Sequence, residues 1–352
     1  MPARFRKQLI AATQFEAVAV CDVDGDGVLD LVCGDLWYQG PDFRRWHPVS
    51  PAARQGEYFD DFSGIVLDVA GAGRPDIITG GWWGDSVRWR ENPGESGKAW
   101  PEHVIASGIG NVETTRAWDI DGDGVTEIVP NTPNHALCAY RLTAPGVFSK
   151  HVIFPEGCGH GLGYGDIDGD GLGEFITPKG ILKRPAAGAW SGPWTLQPGP
   201  DLGWDASVPI LIVDLDGDGE AEVISGHAHS YGLDWYKREN GVWRKHAIDP
   251  FNSQYHDLIW ADIDGDGQPE LITGKRYRAH CGADPGEFDE PSLSYFKWTG
   301  EGFAKQPISH GPIGIGKGCG IHFQAVDLRG SGRLDLIVPG KDGLAILWNE
   351  GN

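Results

Sequence analysis

Short apolar runs, each a few residues long, recur along the chain between clusters of Gly, Asp, Asn and Pro, a spacing that predicts strands and turns. One period shows the unit. SVPILIV leads into an acidic loop; AEVISG, GLDWYKREN, a turn at Gly241 and VWRKHAID follow. These segments predict four short strands. The fourth carries an aromatic followed by basic residues, and the pattern returns as FRRWHPVS, WPEHVIAS, FSKHVIFP, WRKHAIDP and FAKQPISH. Residues 5–11 begin with FRKQLI, the same outer strand with no inner strands before it, while LAILWNEGN at the other end stops at a third strand. The two ends therefore complement each other, and residues 5–11 are expected to complete the last sheet.

The acidic loop sets the count. It reads DVDGDGVLD from Asp22, DIDGDGVTE from Asp119, DIDGDGLGE from Asp166, DLDGDGEAE from Asp214 and DIDGDGQPE from Asp262. Worn copies stand at DVAGAGRPD from Asp68 and DLRGSGRLD from Asp327. The first Asp recurs after 46, 51, 47, 48, 48 and 65 residues, so residues 1–352 form one repeat array. Seven units of four short strands predict an all-β fold, a seven-bladed β-propeller whose ring is closed by the N-terminal strand and so leaves no open sheet edge.

Each intact loop places carboxylates at positions one, three, five and nine around glycines that permit a tight turn. Oxygen ligands at this density suit a hard cation, calcium above magnesium. The expected calcium ligands are Asp22, Asp24, Asp26 and Asp30; Asp119, Asp121, Asp123 and Glu127; Asp166, Asp168, Asp170 and Glu174; Asp214, Asp216, Asp218 and Glu222; and Asp262, Asp264, Asp266 and Glu270. An EF-hand is excluded. Its position-12 Glu is replaced by Cys33, Pro130 or Thr177, and the flanks are strand-like on both sides.

These loops also account for the acidity. They hold 20 of the 50 acids, against a net charge of −21, so the remainder of the chain is close to neutral. No basic stripe meets phosphates, which excludes a nucleic-acid partner, and no apolar run suits a membrane span. Six cysteines at unrelated phases read as free thiols, with Cys21 and Cys33 the pair near enough to meet. PARFRKQLI after Met1 lacks the apolar core of a signal peptide. Weak calcium loops favour a secreted or periplasmic site, and without a removed signal the location is cytoplasmic.

The face opposite the acidic loops carries the candidate chemistry. Counting back from the first Asp of each loop puts Glu113, His160 and His256 six residues upstream and His322 five. Counting forward from the ninth-position acid puts His227 with His229, Lys275 with Tyr277, Asp35 with Trp37 and Gly81 with Trp83 at five and seven. Alternate residues share a side, so blades four, five and six are expected to send His160, His227, His229 and His256 to one spot. Imidazoles converging there suit zinc with an open coordination position. The outer-strand His47, His103, His151 and His246 read as structural, while His135, His280 and His310 lie in loops on the functional face. Trp37, Tyr38, Trp82, Trp83 and Tyr277 suit stacking on pyranose rings, and Arg116, Lys179, Lys275 and Arg276 suit hydroxyls or a carboxylate. Trp118 and Trp260 read as packing between blades. RYRAHCGADPGEFDEPS is an insertion in blade six that reads as a wall or lid for a pocket.

The repeated loop resembles that of the FG-GAP or VCBS-type calcium-loop propellers, a repeat also found in integrin heads. GKRYRAHCGADPGE, GHAHSYGLDWY and GHGLGYGDIDGDG resemble the propeller domain of the fungal aldos-2-ulose dehydratase family and its bacterial relatives. That resemblance implies a catalytic zinc at the bottom of a cleft and dehydration of 1,5-anhydrofructose or glucosone. The cupin and lectin domains of the fungal enzyme are missing, so its later isomerisation is not expected.

The residues support the same chemistry by themselves. Elimination β to a ketone removes a weakly acidic C–H proton, and zinc on the carbonyl oxygen stabilises the charge that develops. The expected ligands are His160, His227 and His256, with His229 a fourth ligand or the base. Tyr277 and Lys275 are candidate acid or base, and Arg116 positions substrate. Trp37, Trp83, Lys179, Arg276, His322 and Glu113 contact it. The expected function is a zinc-dependent carbon–oxygen lyase on a keto-sugar: 1,5-anhydrofructose, glucosone or a 3-keto-glycoside. The alternatives are a polysaccharide lyase and a non-catalytic calcium propeller that binds glycans or proteins.

Overall fold

A computed structural model describes residues 2–351. Seven four-stranded antiparallel sheets follow one another in chain order. Blade one consists of Ala19–Cys21, Asp30–Cys33, Leu36–Gln39 and Arg45–Pro48; the next six occupy 65–107, 115–154, 163–197, 211–247, 255–310 and 324–349. Phe5–Ala11 pairs antiparallel with Leu344–Asn349, from Phe5 opposite Asn349 to Leu9 opposite Ala345, and supplies the fourth strand of blade seven. Trp348 Nε1 donates to Gln8 Oε1 at 2.8 Å across this seam. Blades one and seven then meet at the bridge between Ala17 and His322. The ring is closed as the sequence predicts.

The second strands are the most apolar and are buried throughout, as in DLVC, EIVP and EFIT. Their β-branched side chains fill the space between neighbouring sheets. Outer-strand histidines stack on aromatics of their own blades, with ring centroids at 4.3 Å for His47 on Trp37, 4.4 Å for His103 on Trp89 and 4.2 Å for His246 on Trp235. The structural reading of those histidines holds. Trp118 packs against Tyr164 and Phe175 of the next blade, as expected. All six cysteines are free thiols, Cys21 and Cys33 included.

The acidic loops share one geometry. In the first, Asp22 Oδ1 accepts from the Gly25 N–H and Oδ2 from the Gly27 N–H, each at 2.8 Å, and both glycines adopt positive φ. The worn loops keep this turn: Asp68 accepts from Gly73 at 2.8 Å, and Asp327 from Gly332 at 2.6 Å. The turn therefore needs only the first Asp and the glycines, which leaves the remaining carboxylates for other work.

Removing residues 5–11 unpairs the Leu344–Asn349 ladder and uncovers the core beneath Ile10 and Ala11. Calorimetry of the truncated chain is expected to show a melting temperature at least about 10 °C lower. An unchanged melt would refute closure by this strand.

Candidate metal centre and pocket

Inner strands begin at the face opposite the acidic loops, and the turns after the second strands return to it. A cavity of about 440 Å³ opens there. Glu113, His160 and His229 line its floor, and His256, fully buried, lies behind them; one ligand atom of each of the four is within 4.8 Å of the others. His256 Nε2 lies 2.8 Å and His160 Nε2 3.3 Å from Glu113 Oε1, and the Nε2 atoms of His160 and His229 are 3.1 Å apart. Tetrahedral ligands near 2.0–2.1 Å from zinc stand about 3.3 Å from one another, so these separations match that ion.

Local structure explains each position. Gly161 has a φ of +127°, and a Cβ there would lie 2.6 Å from the Ala206 Cβ. The close approach lets His160 Nδ1 donate to the Ala206 carbonyl at 2.8 Å and turns Nε2 inward. His229 Nδ1 is bound to Asp284 Oδ2 at 3.0 Å, with the same result. His256 sits where the register of Tyr255–Ala261 shifts between Tyr255 and Leu258, and its Nδ1 is buried without a partner. Burial drives the imidazoles of His256 and His229 below their ordinary pKa, helped at His256 by Arg276. Burial opposes the Glu113 carboxylate, but His160 and His256 outweigh it and hold its pKa well below the usual range. Burial also opposes charge on His160, but Glu113 outweighs it and raises that imidazole's pKa, so a metal, which takes up neutral imidazoles and an ionised carboxylate, would displace a proton there.

His227 is not in this cluster. Its Nδ1 meets Asp205 Oδ1 and its Nε2 meets Asp234 Oδ2, both at 3.0 Å, so neither nitrogen faces the floor. The strand Glu222–Gly226 ends one residue earlier, and alternation of sides ends with it. Asp205 organises the turn that follows, accepting from the His229 N–H at 3.2 Å and the Ser230 hydroxyl at 2.6 Å. Glu113, expected to contact substrate, takes the ligand position expected for His227.

Other expected site residues are tied down elsewhere. Trp37 is 2% exposed under His47, and Tyr38 is buried in the core with Phe15 and Leu31, so neither can stack on a sugar. Lys275 is buried; its Nζ binds Ser253 Oγ at 2.7 Å, Gln254 Oε1 at 2.5 Å and the Gly286 carbonyl, bracing the insertion from below. Burial lowers its pKa to about 8. Arg116 crosses the channel to Asp257 Oδ1 at 2.7 Å and to the Val208 carbonyl. His322 Nδ1 accepts from the Gly64 N–H at 2.9 Å. Lys179 points to Glu156 at 3.7 Å. These four and Tyr277 are absent from the cavity lining. Arg276 does line it, but its guanidinium pairs with Glu16 through Nε–Oε1 at 2.8 Å and Nη2–Oε2 at 3.1 Å. Burial pushes the Glu16 carboxyl up, and Arg276 with Lys341 outweighs this, bringing it down to about 2.

The walls are aromatic. Trp82 and Trp83 line the cavity as expected, joined by Tyr58, Phe62 and Trp204. Trp204 is 67% exposed and lies parallel to His229 with centroids 5.7 Å apart. The blade-six insertion forms part of the wall, bringing His280 to the rim; His280 Nδ1 is 3.0 Å from Asp284 Oδ1. His135 and His310 do not line the cavity. Glu16 and Phe62 escaped the sequence reading although both stand six residues before the first Asp of their loops, the phase that found Glu113, His160 and His256. Trp204 and Tyr58 lie in linkers between blades and carry no such phase.

Fold and repeat define a class: the chain is a seven-bladed β-propeller, and residues 187–273 match the FG-GAP-like repeat family. No curated protein matches the sequence. Among solved structures, the Photorhabdus luminescens Tc holotoxin pore is similar at 16% identity and a TM-score of 0.39, over 97% of this chain and 15% of that one. The V. cholerae biofilm matrix protein Bap1 is similar at 17% identity and a TM-score of 0.36, over 82% of this chain and 38% of that one.

The geometry separates two histidines that are two residues apart. His227→Gln leaves Asp205 and Asp234 without their shared partner and is expected to destabilise the fold by about 2–3 kcal/mol. Zinc affinity should stay within about twofold, whereas His256→Ala should lower it by more than about 100-fold. Equilibrium dialysis with zinc, alongside denaturant melts, checks both. Loss of zinc in the His227 variant at temperatures where it remains folded would contradict the assignment.

Proposed function

We propose that Glu113, His160, His229 and His256 bind a zinc ion and that the pocket above it holds a neutral keto-sugar for β-elimination of a carbon–oxygen bond. The observation that carries this reading is the convergence of four buried ligand groups, three of them lining the floor of an aromatic-walled cavity. Its volume falls in the range of small-molecule sites. When bound, zinc supplies a Lewis acid for a carbonyl oxygen of the substrate.

The chain's residues supply the rest. Trp82, Trp83 and Trp204 offer flat apolar faces to a pyranose ring. His280, half-exposed and oriented by Asp284 through Nδ1, presents its Nε2 to the pocket as the base that takes the proton next to the ketone. That C–H electron pair forms the new double bond, the carbon–oxygen bond at the β position breaks, and the leaving oxygen departs as water or an alcohol with the proton that His280 took.

A uronate substrate is not favoured. Among the described residues, Arg276 is the one lysine or arginine that lines the cavity, and Glu16 already holds it. A polysaccharide lyase needs free cations to neutralise the uronate carboxylate. A binding module that uses the acidic loops alone gives no account of four buried ligands on the opposite face.

Elemental analysis of dialysed protein is expected to find zinc, and a screen of keto-sugars to find one that yields an ultraviolet-absorbing enone. Glu113→Gln should remove both zinc and turnover. His280→Ala should keep its zinc and lower turnover by about 10²-fold or more. Protein that retains no zinc, or a zinc-loaded protein that eliminates none of these sugars, would overturn the reading.

A further inference from the structure

On the other face, four of the five intact loops already contain a cation. The third strand of each blade presents one residue opposite the ninth-position acid, a single step beyond the pairs Tyr38–Leu31, Tyr140–Ile128, Leu182–Phe175, Tyr236–Val223 and Phe296–Leu271. From blade three to blade six that residue is Arg141, Lys183, Lys237 and Lys297. Lys237 Nζ lies 2.5 Å from Asp216, 3.1 Å from Asp218 and 2.9 Å from Glu222 Oε1. Lys297 Nζ lies 2.5 Å from Asp264, 2.7 Å from Asp266 and 3.1 Å from Glu270 Oε1. Lys183 Nζ lies 2.5 Å from Asp168 and 2.8 Å from Glu174 Oε1. Arg141 reaches Asp121 at 2.8 Å, Glu127 at 3.3 Å and also Asp123. The nitrogen sits among the third, fifth or ninth-position carboxylates, which the loop sequence reserves for calcium.

Blade one differs. The equivalent residue is Gln39, a neutral amide whose Nε2 donates to Asp24 Oδ2 at 2.8 Å. Among the described residues no lysine, arginine or histidine pairs with Asp22, Asp24, Asp26 or Asp30. Three carboxylates here, Asp22, Asp24 and Asp30, share one seat with no positive charge, and four sister loops show a cationic nitrogen in that seat.

We propose that the loops of blades three to six carry a tethered ammonium or guanidinium in place of calcium, and that calcium binding is confined to the loop of blade one. A calcium ion entering the other four must displace a tethered cation or accept its repulsion. A tethered group competes at an effective concentration of millimolar or above. Loops of modest affinity bind calcium with a Kd of about 10⁻⁴–10⁻³ M, so the competition raises the apparent constant by about tenfold or more. The strand register holds each lysine or arginine beside the carboxylates before any ion arrives.

The inference does not depend on the proposed activity, and its test reads calcium alone. Equilibrium dialysis of the full chain against submillimolar calcium is expected to give one bound ion. Asp24→Asn and Gln39→Lys should each abolish it; the first removes an exposed ligand and keeps the turn. Lys237→Gln, which empties the blade-five seat, should raise the count to two. Four or five ions on the unaltered chain would overturn the proposal, as would no ion at all. A Lys237→Gln chain that gains no ion while Lys183→Gln and Lys297→Gln also gain none would overturn the tethered-cation assignment.

Discussion

One hydrogen bond, repeated in six blades, fixes the phase of everything else. The buried acid at the ninth loop position accepts from the backbone N–H of the loop's second residue: Asp30 from Val23, Asp76 from Val69, Glu127 from Ile120, Glu174 from Ile167, Glu222 from Leu215 and Glu270 from Ile263, at 2.8–3.0 Å. The bond ties the end of the inner strand to the start of the second. A one-residue slip would break it and turn every side chain of the blade to the wrong side. In the seventh blade Asp335 accepts instead from Asn349 at 2.8 Å, on the third strand that also receives the closing strand.

Because the clamp fixes one end of each inner strand, it also fixes the other end. Residues six before the first Asp arrive together at the channel mouth, and so His160 and His256 were legible in the sequence as converging ligands, with Glu113 at the same phase but read as a substrate contact. The reading failed where the strand ran out. His227 and His229 differ by two positions, but the ladder ends at Gly226, and Asp205, from the preceding linker, decides which imidazole turns inward. Lys275 failed for the opposite reason. It lies on the strand Glu270–Lys275, and its side chain passes under the insertion rather than into the pocket. Trp37 has the phase of Trp83 but serves as the surface for His47. Phase gives the level of a residue in a blade, and neighbouring chain decides the rest.

The same contrast governs charge. On the pocket face every buried acid has its partner within the protein: Glu16 with Arg276 and Lys341, Asp257 with Arg116, Asp284 with His229 and His280. Uncompensated burial of any one would be costly. Glu113 lies 2.8 Å from His256 and 3.3 Å from His160, with Arg276 at 3.7 Å the nearest fixed charge. Burial keeps His256 and His229 below their ordinary pKa, while at His160 burial is outweighed by Glu113, which raises it, so a proton on His160 serves this carboxylate and leaves the other two imidazoles neutral. A divalent ion satisfies all four groups at once.

The two faces are electrically separate, and this allows one repeat to serve two ends. From His160 to the first loop acid Asp166 is six residues, with Gly163–Gly165 in strand, a span of at most about 20 Å at the rise of a β-strand. Exposed charges are screened over about 8–10 Å at physiological ionic strength, so the loop carboxylates contribute little to the potential at the pocket floor. The loops can lose carboxylates, as blades two and seven have, or carry a tethered lysine, without a change in the imidazole cluster. What the cluster cannot tolerate is a shift of the strand between them, and the ninth-position clamp prevents that shift whichever cation sits in the loop.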